Sequence, residues 1–246
     1  MPTLIPAASR AMAVFEVFAR EKRELSNSDM ARLLQVAESS TSDLLHTLHS
    51  LGYLMRTTRT RRFYPTGRML ETVRQIAEND PLTIAAQEAA EQLGARSDES
   101  AFVGVPDPTC VKVVATQPSR LPLRYILDVG ARASFHASAL GKALLALLPE
   151  DEARARLARH ALRPLTSHTV LDVDALMAQV AEGRGRGWWE SREEGSEGVY
   201  GLAVSGWLGD QPVGLSLAGP AERMKKNQEA YLTVLRGVRN ALLTDS

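Results

Sequence analysis

Residues 26–67 constrain this chain more than any other stretch. Ser26 precedes a short segment with apolar residues at helical spacing (Met30, Leu33, Leu34), and the pattern breaks at 36–38. A second segment starts at Ser39-Ser40 and ends at Leu51-Gly52-Tyr53, followed by a strand-like run rich in arginine and free of acids. Two short helices in tandem with a basic hairpin behind them place one helix in a DNA groove and the hairpin beside it. The layout predicts a winged helix-turn-helix and a DNA-binding protein.

Residues 9–21 read as a preceding helix, with Ala11, Phe15 and Phe18 on one face. Ser26 offers an N-cap, and Asp29 sits three positions on, where a capping box needs an acceptor. In the third helix Leu44, Leu48 and Leu51 form an apolar stripe. At about 100° per residue Ser39, Ser42, His46, His49 and Ser50 fall opposite it, with Asp43 at the edge. Ser39, Ser40, Ser42, Asp43 and His46 are therefore the expected base-facing residues. Gly52 ends the helix. Residues 53–56 and 62–64 then pair as a wing around 57–61, bringing Arg56, Arg59, Arg61 and Arg62 to phosphates or the minor groove, a merely solvated turn being the alternative. After Pro65, residues 66–78 return to helical spacing through Met69, Leu70, Val73 and Ile76. His46 and His49 lack a third ligand nearby and make a poor metal site. Protein-interaction modules share this helix–hairpin pattern and form the alternative.

The net charge is zero, 29 Lys+Arg against 29 Asp+Glu, which argues for DNA only when charge is read locally. No acid lies between Asp43 and Glu71, whereas Arg56, Arg59, Arg61, Arg62 and Arg68 all do. Clustering of this kind makes a phosphate-binding surface. With 44% apolar and 24% charged residues, the composition is that of a globular protein. No run approaches the roughly 18 apolar residues of a membrane span, and residues 1–6 lack signal-peptide features. The single cysteine, Cys110, excludes an internal disulfide. A cytoplasmic protein with no membrane partner is expected.

Asn79-Asp80-Pro81 marks a boundary. Beyond it come a helix at 82–93 closed by Gly94, and strands at 100–105, 111–116 and 124–129. Helices follow at 137–148, 150–160 and 173–182, then strands at 199–207 and 211–218 around Gly209-Asp210, and a long helix at 221–243. This order predicts an α+β domain with a largely antiparallel sheet. The segment 134–142 leads into a helix, so N–H groups of 138–141 and the helix dipole would favour a small anion there. Tight helix–sheet packing is the alternative reason for its small residues. Catalytic patterns are weak: Ser138 beside His136 lacks the G-x-S-x-G context of a hydrolase nucleophile. Gly141-Lys142 has no Gly-rich loop before it, and Glu193-Glu194 reads as a solvated doublet. A Ser/His hydrolase remains the rival from another class. No enzyme activity, cofactor or metal is expected.

These residues resemble the IclR-type bacterial transcriptional regulators over nearly the whole chain. The resemblance is carried by the run from Ser9-Arg10-Ala11-Met12 through Leu51-Gly52-Tyr53-Leu54, by Tyr64-Pro65-Thr66-Gly67, and most strongly by 136–146. Arg186-Gly187-Trp188, Glu193-Glu194 and 213–220 follow in order. It implies a winged helix-turn-helix (1–66), a linker helix (67–80) and a GAF-like effector-binding domain (81–246). It further implies repressors or activators that form homodimers or homotetramers through the N-terminal region and bind palindromic double-stranded operators. Their effectors are small metabolites, frequently organic or aromatic acids. By motif position the effector pocket includes Phe135, Ser138, Ala139, Leu140, Ser191 or Arg192, Gly201, Ser216 and Ala218, with Trp188-Trp189 forming an aromatic wall or, equally, belonging to the domain core. The chain departs from the family in carrying Glu38 and Asp43 where Lys and Arg are usual. Those acids shift the electrostatic load to the wing and leave open a sensor that has lost DNA binding. An acid at 43 can alternatively accept from cytosine N4. Gly201 and Ala218 stand where Cys and Ser are common, which implies a roomier, less polar pocket.

Overall fold

The computed structural model describes residues 5–159 and 161–245. The chain divides into two compact units, Met1–Asn79 and Asp80–Ser246. In the first, α1 (Pro6–Glu21), α2 (Asn27–Leu34) and α3 (Glu38–Ser50) precede a two-stranded hairpin, β1 (Leu54–Arg56) with β2 (Phe63–Pro65), and α4 (Arg68–Glu78) follows. Ser26 caps α2 as a full capping box. Its Oγ accepts from the Asp29 N–H at 3.1 Å, while its own N–H donates to Asp29 Oδ2 at 3.1 Å. Val14, Phe18, Leu25, Met30, Leu45 and Phe63 are the centre of the core.

One feature of α3 differs from expectation. Its buried stripe is Thr41, Leu45 and Leu48, not Leu44, Leu48 and Leu51. Thr41 donates its hydroxyl to the Ala37 carbonyl at 3.1 Å, so its polar atom is satisfied and it packs inward. Leu44 is half-buried, and Leu51 lies past the last helical residue, exposed.

The second unit is built on an antiparallel sheet ordered β5-β4-β3-β8-β7-β6. These strands are β3 (Ser100–Pro106), β4 (Val111–Gln117), β5 (Arg132–Ala133), β6 (Trp189–Arg192), β7 (Val199–Leu208) and β8 (Gln211–Pro220). Strand alternation sorts the residues by face. Ala101, Val103, Leu202, Val204, Leu215 and Leu217 share a core with α5 (Pro81–Ser97) and α10 (Gln228–Leu242). Phe102 and Ala218 instead join the core that includes Leu140 and Leu144 of α6 (Ala139–Leu145), with α7 (Glu150–Ala158) and α8 (Val173–Arg186).

Several elements differ from the sequence reading. Gly94 does not close α5, which continues to Ser97 and turns at Asp98, φ 57°. Residues 124–129 form no strand. Backbone bonds to β4 start only at Gly130 and Ala131, yet Tyr125 and Leu127 still turn inward while Ile126 and Val129 stay exposed. β6 was not expected at all. The predicted helix 150–160 ends at Ala158, and His160 lies outside the described residues. The long C-terminal helix is split at Asn227 into α9 (Ala221–Lys226) and α10, the Asn227 side chain donating to the Arg223 carbonyl at 3.0 Å.

Candidate DNA-binding face and effector cleft

On α3, Ser39, Ser40, Asp43 and His46 are exposed and Ser42 is half-buried, so the expected reading residues share an accessible side. Glu38, at the first turn, is exposed with them. In the wing, the Arg61 N–H donates to the Thr57 carbonyl at 2.9 Å and Arg61 adopts φ 54°. Arg56 donates to the Arg61 carbonyl at 2.9 Å and lies 5.5 Å over the Phe63 ring. Arg59 and Arg61 are exposed at the tip. Arg62 is half-buried, its Nη1 3.4 Å from Asp29 Oδ2. Thr60 donates to Glu24 at 2.8 Å. The Ser26 N–H and hydroxyl hold the Asp29 carboxyl below the usual range, with smaller help from Arg62 and Arg23.

In the second unit a cleft opens between the sheet and the start of α6 and encloses about 490 Å³ with its mouth. Ser138, Ala139, Leu140, Ser191, Gly201, Ser216 and Ala218 all line it. Gly201 sets its width, since a Cβ there would sit 3.4 Å from the Ala139 Cβ. Sequence reasoning missed Phe102, Tyr125, Leu127, Ala133, Ala137, Gly195, Ser196 and Val199 in the lining. The inward alternation of Tyr125 and Leu127 was the available signal. No Lys, Arg, His, Asp or Glu lines the cleft among the described residues.

Three expected lining residues lie elsewhere. Phe135 is buried in the α6–α8 core and faces a neighbouring groove. Trp188 packs into the core with α5 and α10, under the Arg186 guanidinium at 4.1 Å. Alternation along β6 points Ser191 into the cleft, so Arg192 points away, to Glu190 at 2.7 Å. The expected anion-binding N–H groups are also partly used. Ser138 Oγ accepts from the Gly141 N–H at 3.0 Å and donates to the Ser134 carbonyl at 2.6 Å. His136 Nε2 bonds the Arg163 carbonyl at 3.1 Å. Ser138 and His136 are thus a cap and a loop tie, with no bond between them.

The rim of the cleft at Gly195 and Ser196 is held by a buried ion pair. Lys142 Nζ lies 2.6 Å from both oxygens of Glu194 and 3.1 Å from the Glu190 carbonyl. Burial pushes the Lys142 ammonium below its ordinary pKa, although Glu194 opposes the shift. Glu194 is therefore not half of a solvated doublet. Thr166 and Thr169 donate to the carbonyls of Glu193 and Glu194, each at 2.8 Å, and complete the anchor.

Comparison with known proteins agrees with both halves of this geometry. Residues 7–57 match the IclR helix-turn-helix domain, and residues 74–241 match the bacterial transcriptional regulator IclR C-terminal domain. The regulator KdgR of Dickeya chrysanthemi is 26% identical over 218 residues, covering 87% of this chain and 72% of its own length. An IclR-type regulator from Silicibacter sp. TM1040 superposes with a TM-score of 0.71 at 21% identity, covering 96% of this chain and 94% of the other. An IclR homolog of Microbacterium hydrocarbonoxydans complexed with 4-hydroxybenzoate gives a TM-score of 0.62 at 21% identity, covering 95% and 99%. No helix among the described residues is long and apolar enough to cross a membrane. With a helix-turn-helix DNA-binding domain followed by a C-terminal ligand-binding domain, and with relatives that are regulators and not enzymes, this chain belongs to the IclR family of bacterial transcriptional regulators.

Proposed function

We propose that the protein is a repressor that binds a palindromic operator as a homodimer or homotetramer and is released or tightened by an aromatic-sized organic acid in the cleft. The observation that carries the effector reading is the cleft itself: Phe102, Tyr125 and Leu127 supply apolar walls, and serine hydroxyls supply the polar groups. The aromatic half of the reading rests on those walls. The acid half rests on neutral donors alone, because no cationic side chain lines the space among the described residues.

On the DNA side, Ser39, Ser42, Asp43 and His46 would meet base edges, while Arg56, Arg59 and Arg61 hold phosphate or the minor groove. Arg62 supports the wing through Asp29. Effector binding would change the spacing of two DNA-binding domains and so the operator affinity. Leu70, Val73 and Ile76, all exposed along α4, are the natural face for a second copy in the N-terminal region.

The test is fluorescence anisotropy on fragments from around the protein's own gene, with and without a panel of aromatic acids and their matched amides. Release or tightening by one member of the panel, abolished by Ala218→Leu, is expected. Binding to DNA that no panel member changes would sink the effector assignment. Absence of DNA binding would favour a sensor that has lost it, the reading that exposed Glu38 and Asp43 support.

A further inference from the structure

A second groove lies on the other side of the segment 134–138. Ala137 and Ser138 line the cleft, whereas Ser134, Phe135 and His136 line the groove, so five consecutive residues form a wall common to both. The opposite side is α7, through Arg156 and Leu157, and the space amounts to about 630 Å³ with its open mouth.

Arg156 is the unusual residue here. It is half-buried, its guanidinium lies 5.3 Å over the Phe135 ring, and it makes no ion pair or hydrogen bond among the described residues. Burial lowers its pKa, Arg159 lowers it further, and Glu152 offsets this only in part. A half-buried guanidinium with no hydrogen-bonded acid is open to an anion, because a partly desolvated charge gains from pairing. The surroundings suit an anion. Thr109 Oγ1 accepts from Arg132 at 2.7 Å and Ser134 Oγ accepts from the Ala137 N–H at 3.2 Å, which leaves both hydroxyl protons to donate. No acid lines the groove among the described residues.

We propose that this groove is a second ligand site, for a small carboxylate with an apolar body. Arg156 pairs the carboxylate, and Leu157 and Leu162 take the body. The wall between groove and cleft is stiff. A Cβ at Gly141 would sit 2.5 Å from the Phe135 carbonyl and from the Ser134 carbonyl, so the segment is seated hard against α6. A ligand that shifts Phe135 therefore shifts Ala137 and Ser138, and the two sites alter each other's affinity by the same factor. This coupling rests on reading the cleft as the effector site, whereas carboxylate binding in the groove does not.

Calorimetric titration of the full chain with sodium benzoate and with benzamide tests the proposal. Benzoate should bind, benzamide at least about tenfold more weakly, and Arg156→Gln should lower benzoate affinity by about tenfold or more with the melting temperature retained. Leu162→Glu, which places an acid at the half-buried mouth, should cause the same loss if Arg156→Gln does not fold. Ala218→Leu, in the cleft, should remove any benzoate bound there and leave the Arg156-dependent binding event in place. No uptake of benzoate by the wild type, or full uptake by Arg156→Gln, would overturn the site. Loss in Ala218→Leu alone would move the carboxylate to the cleft and overturn it too. Benzoate held through Arg156 with no effect on any cleft ligand would overturn only the coupling.

Discussion

Arg62 Nη1 lies 3.4 Å from Asp29 Oδ2, so the carboxylate that caps α2 also holds the base of the wing. Thr60 makes a second tie to Glu24. The wing is therefore braced against the helical body before any DNA arrives, and its four arginines do not share one role.

Arg59 and Arg61, exposed at the tip, should behave as phosphate contacts. Alanine at either should weaken binding to all DNA sequences alike and reduce the slope of log K against log salt by about one. Arg62→Ala should instead act mainly through wing stability. A salt slope unchanged in the Arg59→Ala/Arg61→Ala pair would remove the wing from the interface.

Asp29 gives a stability test with a definite sign. Its folded-state pKa is depressed by the Ser26 N–H and hydroxyl, so its contribution is present above the unfolded value and lost as pH falls through the folded one. Asp29→Asn should lower the melting temperature at pH 7, and the gap from wild type should close as pH drops below about 4. A gap that stays constant into acid would mean the carboxylate's charge contributes nothing.

Lys142 and Glu194 should show the asymmetry of buried pairs. Lys142→Met alone strands the Glu194 carboxylate and should cost about 3–5 kcal/mol, whereas Lys142→Met with Glu194→Leu should recover much of it. Denaturant titration of the four-member cycle measures this. The single variant should also lose cleft ligands, because Gly195 and Ser196 follow Glu194 directly.

The apolar face of α4 is the expected self-association surface. Leu70→Asp with Ile76→Asp should reduce the mass measured by light scattering and weaken operator binding in step. An unchanged mass would place the subunit contact elsewhere.

Elements with strong local signals were legible in the sequence. The Ser26 cap, the Gly52 break and the Gly209-Asp210 turn each carry their own chemistry, and the expected α3 face is exposed except at half-buried Ser42. The stripe beneath it was off because a threonine that bonds its own helix can stand in for a leucine, which periodicity of apolar residues does not register. In the cleft, Ser138 through Leu140 could be found from one contiguous motif. Tyr125 and Leu127 were signalled only by the alternation of a segment that reads like a strand without pairing as one. Arg192 and Ser191 are neighbours with opposite destinations, and only knowing that β6 exists settles which one faces the cleft. Lys142 read as a false phosphate motif, when its real partner is 52 residues away.

The alternation of β8 has a consequence for how such a sensor can change. Val213, Leu215 and Leu217 carry the helical core, while Ser216 and Ala218 line the cleft. Core packing and cleft lining fall on odd and even positions of the same strand. A library randomising only 216 and 218, with 102 and 201 across the sheet, could retarget the response while leaving the α5–α10 core untouched. The same separation would let natural variants change the cleft one residue at a time, without passing through unfolded ancestors.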